Sequence, residues 1–136
     1  MSELTLASGF SVSLIFSTLF FWGAGVLILN RFFGFPVSVI LVSLKLFLPF
    51  SFFAFWGDGS WFIGADDQSY FNAGVKLVES GENPITIWFS AVGKYVLTEH
   101  PILAIYHWWN MVWMYFFGTS YFVVVLANVF TTLIAG

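Results

Sequence analysis

Residues 4–30 read LTLASGFSVSLIFSTLFFWGAGVLILN, a run with no charged side chain between Glu3 and Arg31. Helical crossing of a bilayer takes about 20 apolar residues, so the run is long enough to span with tilt. A cleaved signal peptide has a basic flank and a shorter apolar core, whereas the flank here holds Glu3 and no Lys or Arg. The run reads as a retained anchor.

The whole chain points the same way. Its 136 residues are 60% hydrophobic, 23% aromatic and 8% charged, with a mean hydropathy of +0.91. Soluble domains carry about 25% charged residues, and a soluble fold of this composition would leave Phe and Trp surface open to aggregation. Arg31, Lys45, Lys76 and Lys94 lie far apart. No basic stripe exists for a phosphate backbone, which excludes nucleic acid as a partner. The absence of cysteine removes disulfides, thiolate metal sites and cysteine nucleophiles together.

Beyond the first run, Arg31, Gly34 and Pro36 interrupt the apolar pattern, with Gly34 suited to a turn and Pro36 to the start of a new helix. A tight hairpin is expected there. A second span then runs from Pro36 to about Trp56, and Lys45 falls roughly 14 Å along it at 1.5 Å per residue. A lysine at that depth is a candidate for substrate binding. The plainer reading is a stem that snorkels toward the Arg31 end or pairs with another helix.

From Gly57 the character changes, because residues 58–100 hold Asp58, Asp66, Asp67, Glu79, Glu82 and Glu99 against two lysines, with several glycines and Pro84. This is an aqueous loop. Within it Asp66 and Asp67 can head a helix with Tyr70, Gly74 and Leu77 on one face, Asn72, Lys76 and Glu79 outward, and Gly81 at its end. Pro84 opens a short segment through Trp88, Phe89 and Tyr95 that suits the membrane surface. Pro101 opens a further apolar stretch to Gly118, where His107 and Asn110 among Trp108, Trp109 and Trp113 have an interfacial character. Spanning and surface-lying placements both fit it. Tyr121 to Gly136 is uncharged and reads as a span cut short.

The expected fold class is therefore all-α, a polytopic membrane protein with three to four membrane-embedded helices. It is read as a single unit with spans at about 4–30, 36–56 and 119–136 and an external loop of short juxtamembrane helices over 57–118.

Two carboxylates stand out as chemistry. Asp66 and Asp67 are adjacent at a helix head, where the dipole favours negative charge, so an ionised Asp there can act as a base or a metal ligand. An N-cap accounts for one of them without function. His100 and His107 are seven apart with Pro101 between them and no third ligand at metal-binding spacing, which favours an interfacial structural role. The 19 Phe and 7 Trp suit pigment or quinone packing, but lipid-facing and interfacial positions explain them more simply.

The segment Gly64-Ala65-Asp66-Asp67-Gln68-Ser69-Tyr70, followed by Gly81-Glu82-Asn83-Pro84, resembles the first external loop of C-type glycosyltransferases. That pattern is Asp, an acid, two residues and Tyr, then Gly-x-x-Pro. Pro101 through Phe117, Gly118-Thr119-Ser120 and an apolar helix bearing Asn128 are similar to a second stretch of the same enzymes. The resemblance covers about residues 58–136 and lies closest to the branch of mannosyltransferases that use polyprenyl-phosphate-linked sugars. It implies that Asp66 is the catalytic base or a ligand of the site, that Asp67 supports it, and that Tyr70 shapes a substrate pocket. It leaves the divalent-cation requirement open and names no other cofactor.

Two departures matter: an extra span precedes the loop, and the family has eight or more spans. The chain is thus expected to act with the remainder of a longer enzyme or with further membrane subunits. Its partners are the lipid bilayer and a lipid-linked sugar donor. Arg31 and Lys45 on the hairpin side stand against two lysines and six acids in the loop, a near-even positive-inside count. The resemblance then implies that the hairpin is cytoplasmic and that residues 57–118 lie outside a plasma (inner) membrane, with the N-terminus also outside. The alternative function is a small noncatalytic integral membrane subunit of a larger complex.

Overall fold

The computed structural model describes residues 12–56, 65–99 and 101–135, with side-chain surroundings for 12–51, 68–98 and 101–135. The fold among them is all helical: α1 (Val12–Phe33), α2 (Phe35–Trp56), α3 (Ala65–Glu79), α4 (Ala91–Glu99), α5 (Ala104–Phe117) and α6 (Tyr121–Ala135), with 3₁₀ turns at Thr86–Phe89 and Pro101–Leu103. These helices gather into two compact units, one of α1, α2 and α6 and the other of α3, α4 and α5. Gly118, at φ 96°, ends α5 and precedes the change of unit.

In the three-helix unit, Arg31 lies in the last turn of α1 rather than in the hairpin turn. A cation at that end complements the carbonyl end of the helix dipole, so the helix continues until Gly34 turns the chain at φ 77°. The portion of the first apolar run before Val12 lies outside the described residues. Leu14, Phe21, Val26 and Leu29 of α1, Val42 and Leu46 of α2, and Phe122, Val123, Leu126 and Ala127 of α6 form the buried layer.

Close approach of the three helices depends on Gly25. A Cβ there would stand 3.2 Å from Val42 on α2 and 3.2 Å from Leu133 on α6. Small residues at such crossings bring backbones together. Phe21 meets Phe130 with ring centroids 5.2 Å apart, and the Trp22 indole N–H donates to Ser43 Oγ at 2.9 Å. Buried Ser17 satisfies its hydroxyl on the Ser13 carbonyl at 2.6 Å.

The outward faces of α1 and α2 are as apolar as the inward ones, with Phe16, Leu19, Leu27, Leu44, Phe47 and Leu48 all exposed. Helices apolar all round need a second apolar environment. Among the described residues, α1 alone is long and apolar enough to cross a membrane. Phe35–Ser51 is a shorter apolar stretch, and Pro101–Phe117 with Tyr121–Ala135 passes only as a broken pair. Pro49 inside α2 has no N–H for the Lys45 carbonyl one turn earlier.

The second unit packs α3 and α5 side by side around Leu77, Ile87, Val96, Leu97, Ala104 and Met111. Gly81 ends the α3 turn at φ 78°, donating its N–H to the Val78 carbonyl at 3.2 Å. Asn83 Oδ1 then accepts from the Ile85 and Thr86 amides, each at 2.8 Å, while Thr86 Oγ1 accepts from the Asn83 amide at 3.2 Å. This reciprocal pair starts the 3₁₀ turn. Ser90 Oγ accepts the Gly93 amide at 2.9 Å and so caps α4.

Candidate functional site

The face of α3 that meets α5 carries Tyr70, Gly74 and Leu77, spaced as one helical stripe, with Gly74 and Leu77 buried and Tyr70 half-buried. Asn72, Lys76 and Glu79 are exposed on other faces. The glycine is what permits contact, because a Cβ on it would stand 2.6 Å from Met114 Cε and 3.1 Å from Asn110 Cβ. One turn earlier, Tyr70 lies edge-on to Tyr106 at 5.5 Å and tilted against His107 at 5.8 Å.

These contacts set the direction of the pair. Tyr70 meets Tyr106 and His107, and Gly74 meets Asn110, Met111 and Met114, so residue numbers rise together and the helices run parallel. Asp66 and Asp67 stand in the first turn of α3, one turn before Tyr70. Leu103, at the start of α5, stands one turn before His107. The N-terminal end of α5 therefore lies at the level of the first turn of α3. The side-chain surroundings of Asp66 and Asp67 lie outside the described residues, as does His100.

His107 and Asn110 face α3 and are buried, Asn110 to 1% exposure. Ala104, His107, Met111 and Met114 form a stripe of three, four and three residues that turns this side of α5 inward. Both amide atoms of Asn110 lack a hydrogen-bond partner. Lys45, the other substrate-binding candidate, is exposed on α2 in the three-helix unit. Among the described residues no three His, Asp or Glu side chains gather as a metal site.

No family model matches the chain, and it matches neither a curated protein nor a solved structure.

Proposed function

We propose that the chain is an integral membrane unit of the C-type glycosyltransferase kind, with three to four helices in the bilayer and residues 57–118 on the extracytoplasmic side of a plasma membrane. The supporting observation is the acidic first turn of α3, in register with Tyr70 and level with the N-terminal end of α5. In the proposed reaction Asp66 takes the proton of an acceptor hydroxyl. The hydroxyl oxygen bonds to the anomeric carbon of the sugar, and the bond from that carbon to the phosphate oxygen breaks. The polyprenyl phosphate leaves with the electron pair, while Asp67 assists Asp66 and Tyr70 walls the sugar site.

Membranes from cells expressing the chain, compared with membranes lacking it, test this by transfer of labelled sugar from a polyprenyl-phosphate donor. Asp66→Asn keeps the size and polarity of the side chain in the first turn of α3 but removes the base. Transfer should be lost with thermal stability unchanged, and full transfer in Asp66→Asn would refute the assignment. Labelling of Ser80→Cys by a membrane-impermeant thiol reagent in intact cells checks the side of the loop.

A second reading is a noncatalytic subunit whose apolar helices pack into a larger complex. It is favoured by the open apolar groove of about 290 Å³ between α1 and α2, lined by Ile15, Leu19, Leu46, Phe47 and Phe50. Stable co-purifying membrane proteins together with transfer that does not depend on the chain would select it.

A further inference from the structure

We infer that the exposed apolar face built around Trp108 seats the α3–α5 unit on the headgroup boundary of a bilayer, which holds the acidic turn at the depth of lipid phosphates. This rests on the membrane reading above and adds which face meets the lipid and what that does for the site.

Trp108 organises the face. Its indole N–H donates to the Pro84 carbonyl at 2.7 Å, and its ring lies 6.0 Å from that of Trp88. The 3₁₀ turn is thereby tied to α5, and the chain neighbours of Pro84 and Trp88, Ile85 and Phe89, are 76% and 79% exposed. On α5 the position one turn before Trp108 is Ile105, also exposed, and the preceding 3₁₀ turn carries Ile102 at 96% exposure. So large an apolar surface around one half-buried tryptophan is costly in water.

The charges are segregated from it. By sequence the stretch from Asn83 to Thr119 holds only Lys94 and Glu99 as Lys, Arg, Asp or Glu, both on α4, whereas Lys76, Glu79 and Glu82 lie on α3 and the turn that follows it. A face of aliphatic and aromatic side chains complements an uncharged acyl boundary, into which such faces sink about 5–10 Å. The chain also joins this unit at both ends to apolar helices, α2 before it and α6 after it. That tether keeps the face at high effective concentration near any bilayer those helices enter.

Register links the face to the site. Ile102 and Ile105 lie at the N-terminal end of α5, and the parallel pairing puts the first turn of α3, with Asp66 and Asp67, at that same end. Seating the isoleucines in the headgroup layer brings the acidic turn to the depth at which a lipid-linked phosphosugar presents its head.

The chain has no native cysteine, so single nitroxide labels can be placed at Phe89→Cys, Ile105→Cys, Asn72→Cys and Leu27→Cys. The full chain is reconstituted in phosphatidylcholine vesicles, and label collisions with oxygen and with a water-soluble nickel chelate are compared. Phe89→Cys and Ile105→Cys should favour oxygen several-fold more than Asn72→Cys on the polar face of α3. Nickel collisions as frequent as at Asn72→Cys would overturn the inference, and so would shielding from both reagents, which would signify cover by protein. Leu27→Cys on the outer face of α1 separates the two readings. If it is lipid-exposed while the patch is aqueous, this inference alone fails; if it is aqueous too, the membrane reading falls with it.

Discussion

Replacing Gly93 by alanine should destabilise the α3–α5 unit through a backbone collision that no side-chain movement relieves. Gly93 is the third residue of α4, and a Cβ on it would overlap the carbonyl oxygen of Ile87. That carbonyl is held in place, accepting the Ser90 amide at 3.2 Å and the Ser90 hydroxyl at 3.0 Å. Relief requires α4 to move, which breaks the Ser90 cap on the Gly93 amide. Overpacking costs about 1–3 kcal/mol and loss of a cap about 1 kcal/mol, against a gain of about 1 kcal/mol in helix propensity from Gly to Ala. The net destabilisation is about 1–3 kcal/mol, and at about 4–8 °C per kcal/mol for a unit of this size the melting temperature should fall by at least about 4 °C. Thermal unfolding in detergent followed by tryptophan emission reads this directly, since Trp88 and Trp108 lie beside the turn. Gly23→Ala is the control, because nothing lies within 4 Å of its Cβ position and its stability should hold or rise. A Gly93→Ala protein melting at or above the wild type would refute the packing of α4 on Ile87.

Asn110→Leu removes a buried amide that has no partner, and since an unpaired buried polar group costs about 1–3 kcal/mol, the melting temperature should rise. A rise accompanied by loss of sugar transfer would mark the amide as serving the site, and a fall would show that the amide is satisfied. Trp108→Phe leaves the Pro84 carbonyl without its donor and should lower the melting temperature, at a cost of about 1–3 kcal/mol; an unchanged melt would refute the anchoring role of that bond. Lys45→Arg should insert normally, whereas Lys45→Asp exchanges a long stem that can carry its charge toward the interface for a short acid that cannot, and should reduce insertion in a translocon assay. Wild-type behaviour of Lys45→Leu would show the charge to be dispensable.

The helices themselves are legible in the sequence because their ends are chemically marked. Gly34 and Pro36 announce the α1–α2 turn, and Asp66 with Gly81 bracket α3. What periodicity does not carry is which side of α1 faces its neighbours, since Phe16 and Phe21 are equally apolar and only the latter is buried. Gly25 decides that side by admitting Val42 and Leu133, a property of shape rather than of hydrophobicity. The same holds in the candidate site. Asp66, Asp67 and Tyr70 are conspicuous by type and spacing, while burial of His107 and Asn110 is written in the weaker stripe of Ala104, Met111 and Met114. The neighbouring tryptophans mask that stripe by suggesting an interface.

The parallel direction of α3 and α5 is the least visible feature and the most consequential. Two helices joined by a short turn run antiparallel, which would set the acidic turn of α3 opposite the Met114 end of α5. Here the chain between Gly81 and Leu103 spends a 3₁₀ turn and α4 on its return, and it emerges beside the start of α3. The composition of that segment serves the return. Asn83 and Ser90 supply side-chain caps, and Gly93 lets α4 fold back onto the turn that precedes it. Substitutions that alter this crossover should therefore disturb the first turn of α3 without touching it, because they control whether the start of α5 lies level with that turn.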